Sequence, residues 1–282
     1  MIIQDLISVI ESEAPLSLQE AYDNAGLLIG DPQQTVTGAL VCLDVTEAVI
    51  EESLNLGCNL IISHHPLIFK GLKKFTGRTE VERCVSTALK NELAVYTAHT
   101  NLDNTLKGVN AKIAEKLELT NCKILQPMEN SLCKVVTFIP KLLVQKVRCA
   151  MFEAGAGTIG NYDSCSFNVE GYGSFRAGEG ANPFVGELMN VHYEPEVRTE
   201  VIVPVNKLST VLNALMDAHP YEKPAFDIIP LMNKWEQVGA GMIGELTKPV
   251  TAIDFMNSLK SVFNIPCIRH TQLCKKEIQK IA

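Results

Sequence analysis

Two short apolar runs, residues 39–43 and 59–62, flank one amphipathic stretch in which Val49, Ile50 and Leu54 recur at helical spacing. Thr46 stands where a helix N-cap belongs, and Gly57 where the helix must stop. Short apolar runs joined by a helix bury both faces as neighbouring parallel strands, so this spacing predicts a β-α-β unit and an α/β fold. The rhythm continues: Val81, Cys84, Val85, Ala88 and Leu89 mark a helix over 78–91, residues 93–97 a further buried strand, and 109–117 a further helix.

Near residue 127 the order changes to strand (134–139), helix (142–153), two strands (164–170 and 198–203), helix (207–218) and strand (225–230). A β-α-β-β-α-β order without parallel-sheet spacing predicts a ferredoxin-like α+β domain. After Lys234 come a glycine-punctuated strand (239–244), a helix marked by Ile253, Met256, Leu259 and Phe263, and extended residues at 278–282. These last residues, about 48 of them, cannot bury a core alone, so they dock elsewhere or begin a domain. An apparent strand start at Ala282 reads as truncation. The expected division is therefore 1–126, an inserted domain at 127–233, and 234–282 as the beginning of a second α/β half.

Composition sets outer bounds. A chain of 282 residues, 46% hydrophobic and 20% charged, is globular and large enough for about two domains, which excludes disordered and disulfide-scaffold classes. Its net charge of −7 disfavours a nucleic-acid partner, whose phosphates require a basic face. Ile2, Ile3, Leu6, Ile7 and Ile10 form one face of a helix interrupted by acidic residues, which is not a signal peptide. No run reaches the ~18 apolar residues of a membrane span. The nine cysteines are odd in number and none is within six residues of another, so reduced thiols, mostly in the core, and a cytoplasmic location are expected.

The chemistry concentrates at two strand ends. Ser63-His64-His65-Pro66 comes directly after the run 59–62, and His99-Thr100-Asn101-Leu102-Asp103 after the run 93–97. Groups beyond the carboxyl ends of parallel strands converge on a crevice. Imidazoles with a carboxylate suit Zn, Mn or Fe, and adjacent histidines on one turn can serve two ions, with Asp103 as the bridging candidate. His99 fits either a ligand or a group that orients one. A single histidine more often satisfies a backbone partner, and it is the pairing of two such clusters that raises the functional reading. Lys70, Lys73, Lys74 and Arg78 either grip an anionic substrate or form a solvated loop. Gly155-Ala156-Gly157-Thr158-Ile159-Gly160 comes after a helix rather than a strand, so it reads as a helix stop and not as a dinucleotide fingerprint. His192, His219 and His270 have Glu196, Glu222 and Cys274 at three- or four-residue spacing, but nearby prolines argue against helices there, and structural roles are expected.

With Asp23-Asn24-Ala25-Gly26-Leu27, Ser63-His64-His65-Pro66-Leu67-Ile68-Phe69, His99-Thr100-Asn101-Leu102-Asp103 and Gly108-Val109-Asn110 in that order, the chain resembles the NGG-interacting-factor-three-like family, known in bacteria as GTP cyclohydrolase I type 2 homologues. Residues 127–233, ending near His219-Pro220-Tyr221-Glu222, resemble the inserted domain of the longer bacterial members, which is similar to PII and CutA proteins. The tail from Trp235 resembles the start of their C-terminal half. The resemblance implies two similar α/β halves, the second incomplete here, a dinuclear site for two divalent metal ions, and toroidal homohexamers. By position His64 and His65 match metal ligands, Asp103 the bridging carboxylate, and His99 a histidine near the site that is expected to act with Asp103 in catalysis. Asp23 and Asn24 match a motif of structural or pocket-lining role. The family completes its site with a His and a Glu four apart near the C-terminus, and no such pair comes after Lys234; roughly 80 to 100 residues would be absent.

Three functions fit these residues. One is a metal-dependent hydrolase, a cyclohydrolase opening a purine ring by hydroxide attack, with a small-molecule, nucleotide substrate that the resemblance implies. Another is a metal-binding regulatory or scaffold protein without turnover, whose insertion senses a small ligand. The last is metal sequestration or delivery.

Overall fold

In the computed structural model, which describes residues 1–273 and 276–282, the elements begin with α1 (Ile3–Glu13), β1 (Gly26–Ile29), β2 (Ala39–Cys42), α2 (Glu47–Asn55), β3 (Leu60–Ser63), α3 (Glu80–Lys90) and β4 (Ala94–Thr97). They continue with α4 (Thr100–Asp103), α5 (Val109–Lys116), β5 (Thr120–Pro127), β6 (Leu132–Pro140), α6 (Val144–Glu153), β7 (Phe167–Arg176) and β8 (Val191–Pro204). Last come α7 (Leu208–Ala218), β9 (Phe226–Leu231), β10 (Gly239–Val250), α8 (Ala252–Phe263) and β11 (Ile278–Ile281). Two compact units result: Met1–Pro127 with Glu236–Ala282, and Met128–Trp235.

In the first unit β2, β3 and β4 are parallel, in the order β1-β4-β3-β2. The helix between β2 and β3 starts where Thr46 accepts the Val49 amide and stops at Gly57, whose φ of +70° suits glycine. Alternation along the strands separates two faces. Ile61 and Val95 pack with Ile50, Cys84, Val85 and Ala88 of α2 and α3, whereas Leu60, Ala94 and Tyr96 pack with Ile3 and Ile7 of α1. Coverage on both faces explains why β3 and β4 read as unbroken apolar runs. At the sheet edge β2 is different: Val41 is 75% exposed, since only one side of that strand is covered. Strand β1 pairs antiparallel with β4, Gly26 opposite Thr97, which turns the start of β1 towards the carboxyl end of β4. The C-terminal segment docks, with β10 pairing β5 on one side and β11 on the other, and the Gly239 amide donating to the Asn104 carbonyl.

The second unit is a four-stranded antiparallel sheet in the order β7-β8-β6-β9. Helices α6 and α7 cover one face, where Val147, Met151, Val211 and Leu215 meet Val135, Ile139, Val201 and Val203. The glycines at 155, 157 and 160 all take positive φ in the turn after α6, the helix-stop role their context predicts.

The cysteines depart from expectation. All eight described are unbridged, but only Cys84 and Cys133 are buried. Burial pushes the Cys84 thiol up to about 11, so it packs as a small apolar group.

Candidate metal centre

The last residues of β3 and β4, Ser63 and Thr97, are register partners, and their hydroxyls lie 2.9 Å apart. The loops leaving the two strands therefore emerge side by side. The His64 and His65 amides donate to the Cys42 and Leu43 carbonyls at 3.2 and 2.9 Å, and α4 begins directly after His99, with Asp103 on its single turn.

All three rings are held through Nδ1. His64 Nδ1–H donates to the Ala98 carbonyl (2.9 Å), His65 Nδ1–H to Asp44 Oδ1 (2.8 Å), and His99 Nδ1–H to Asp23 Oδ1 (2.8 Å). Because each partner is an acceptor, the neutral rings carry their proton on Nδ1 and leave Nε2 as a lone-pair donor. Ring centroids are 5.0, 5.3 and 5.7 Å apart, and one ligand atom from each ring lies within 4.8 Å of the others. A carbonyl or carboxylate behind an imidazole is what fixes a ligating tautomer and raises its basicity, so this donor set fits a divalent metal ion. Asp103 Oδ1 stands 3.9 Å from His64 Nε2, beside the three mutually close donors rather than among them.

Behind His99, the Asp23 side chain is fully buried. It accepts the Thr100 hydroxyl in a short contact, the Thr100 amide at 3.1 Å and the Asn24 amide at 2.7 Å. Burial alone would raise its carboxyl, but these bonds and that from His99 outweigh it and hold the group below the ordinary carboxylate value. Asn24 in turn donates to the Ile68 carbonyl at 2.5 Å, tying this loop to the segment after His65. Lys70, Lys73, Lys74 and Arg78 are exposed on that same segment.

Sequence reasoning passed over Asp44. It stands beyond β2 as His64 stands beyond β3 and His99 beyond β4, so the strand-end rule applied to all three parallel strands would have found it. The remaining histidines have partners of their own. His192 pairs with Glu194 rather than Glu196 (2.8 Å), His219 bonds to backbone on both nitrogens, and His270 Nδ1–H donates to the Thr271 carbonyl (2.7 Å). Cys274, considered with His270, lies outside the described residues.

An α/β unit whose parallel strands end in three braced, convergent imidazoles defines a class of candidate metal-binding proteins. The family described as Duf34/NIF3 (NGG1p interacting factor 3) matches residues 1–282, and the chain belongs to it. It is 40% identical over 280 residues to a Halalkalibacterium halodurans protein named GTP cyclohydrolase 1 type 2 homolog, covering 99% of this chain and 75% of that one. A Bacillus subtilis protein of the same name is 36% identical over 280 residues, with the same coverage of 99% and 75%. Among solved structures, the Bacillus cereus protein related to NIF3 superposes with a TM-score of 0.85 at 38% identity, covering 99% of this chain and 75% of that one. Staphylococcus aureus protein SA1388 gives 0.72 at 31% identity, covering 99% and 74%.

Proposed function

We propose that this chain carries the His64, His65 and Asp103 part of the dinuclear-metal site of a metal-dependent hydrolase acting on a small molecule of nucleotide type. The observation that carries the reading is the convergence of the three imidazoles, each braced at Nδ1, within 4.8 Å. In it His64 and His65 would hold the metal together with Asp103, whose Oδ1 stands 3.9 Å from His64 Nε2 and which the family resemblance makes the shared carboxylate. Divalent ions bound there would supply an acidified water and Lewis-acid polarisation of the substrate. The chain's own residues do the rest. Ala98 and Asp44 keep the His64 and His65 rings from turning, and His99, oriented by Asp23, takes up and returns a proton at Nε2. The lysines on the segment after His65 attract the anionic end of the substrate. The nucleotide class is drawn from the relatives' name, GTP cyclohydrolase 1 type 2 homolog. A homohexamer and a cytoplasmic location belong to this reading; among the described residues no helix is long and apolar enough to cross a membrane.

Elemental analysis combined with a nucleotide turnover panel tests it. In a form extended past Ala282, His64→Ala or Asp103→Ala is expected to lose bound metal and turnover with little change in the unfolding midpoint; retained stoichiometric metal in both variants refutes the assignment. The second reading, a metal-binding regulatory protein without turnover, draws support from a cavity in the second unit, and tight metal binding with no turnover would favour it.

A further inference from the structure

On the face of the second unit's sheet opposite α6 and α7 lies a cavity of about 870 Å³, within the roughly 300–1,000 Å³ of small-molecule sites. The sheet forms its floor, and segments 177–184 and 221–225 wall it. Glu196, only 8% exposed, reaches into it from β8. Tyr221 donates its hydroxyl to Glu196 Oε1 at 2.8 Å, and burial together with that carboxylate pushes the phenol above its ordinary value, so it stays a donor. Glu196 Oε2 has no hydrogen-bond partner among the described residues. It sits over Gly173, where a Cβ would collide with the carboxylate; the bare glycine makes the room.

Glu196 Oε2 is therefore not sealed in the interior but opens onto the cavity, where it offers an anionic acceptor to a ligand that brings a cationic donor. The surroundings select the kind of cation. Phe175 and Phe184 stand with ring centroids 6.0 and 6.3 Å from that of Tyr221, forming an aromatic wall of the sort that attracts positive charge at the ring face. Of the four glutamates that line the cavity Glu170 is paired with Lys141 at 2.8 Å, and Arg198 is likewise paired with Glu200 at 3.0 Å, which leaves Glu179, Glu196 and Glu222 against Lys223, so the field inside is negative and an anionic ligand is opposed. No three His, Cys, Asp or Glu ligand atoms converge in this cavity among the described residues, unlike at His64, His65 and His99, so an organic cation is favoured over a metal ion.

We propose that this cavity binds a small organic cation, a primary ammonium or amidinium on an aromatic or aliphatic body, with Glu196 as counter-ion and Phe175, Phe184 and Tyr221 as the apolar wall. The site gives the regulatory reading a ligand class, and it stands whether or not the histidine cluster performs turnover.

Calorimetric titration of the full chain with phenethylammonium, benzamidinium, the neutral 2-phenylethanol and the anionic 3-phenylpropionate tests this. Saturable binding of the cations is expected, with the neutral and anionic probes weaker by about tenfold or more. Glu196→Gln keeps an acceptor for Tyr221 and should weaken the cations about tenfold while leaving 2-phenylethanol unchanged. Phe184→Ala, at a surface position 55% exposed, should weaken cationic and neutral probes alike. Absence of saturable binding, equal affinity for charged and neutral probes, or an unaltered E196Q would overturn the proposal. Should E196Q fail to fold, the probe series on the unmodified chain together with F184A decides. Metal content measured on the same samples reports separately on the histidine cluster.

Discussion

Asp44 and Asp23 do the same thing to two histidines from opposite environments, and that contrast separates orientation from stability. The Asp44 side chain is 61% exposed and makes one bond to His65, whereas Asp23 is fully buried and accepts from four groups. Asp44→Asn should therefore lower metal affinity about tenfold or more by chelator competition while leaving the unfolding midpoint in place. Asp23→Asn should lower affinity and also destabilise by about 1–3 kcal/mol in urea titration, since buried donors on Thr100 and Asn24 lose a charged acceptor. If both variants lose stability equally, the separation fails. Of the two, Asp23 stood in a recognisable motif, but its bond to His99 spans 76 residues and no local pattern announces it.

At the level of elements, His219 links the end of α7 to β6. Its Nε2–H donates to the Phe138 carbonyl at 3.0 Å, and its Nδ1 accepts the Tyr221 amide at 3.1 Å, so both nitrogens are used only by the neutral ring. Burial holds its pKa below the ordinary 6.5 despite the bond to Phe138. Protons then bind the unfolded state first: stability is fully present above pH 6.5 and is lost as pH falls towards the folded-state value. Urea midpoints from neutral to mildly acidic pH should show that decline, and His219→Gln should flatten it; an unchanged slope would remove His219 as its source. The helix and strand periods that predicted β6, α6, β8, α7 and β9 were plain in the chain. The long extensions of β7 and β8 were less plain: Val191, Tyr193 and Val197 do alternate with His192, Glu194 and Glu196, but Pro195 and the two glycines of β7 interrupt the apolar period.

For the whole molecule, a bound metal stabilises the unit that holds it and not the other. At a metal concentration of about a hundred times Kd the gain is ~2.7 kcal/mol, so chelation should reduce hydrogen-exchange protection in β3 and β4 and leave β6 and β8 unaffected. Equal loss in both units would contradict a site confined to the first. By itself the sequence determined the β-α-β rhythm, the strand ends that carry His64, His65, His99 and Asp103, and the helix caps, because each depends on neighbours within a few residues. Tertiary structure alone decided the antiparallel entry of β1 that brings Asp23 to His99, the edge position of β2 with Asp44, the pairing of β5 with β10, and the meeting of Glu196 with Tyr221. Those contacts join segments far apart in the chain, and a local period carries no information about which distant surface will bury it.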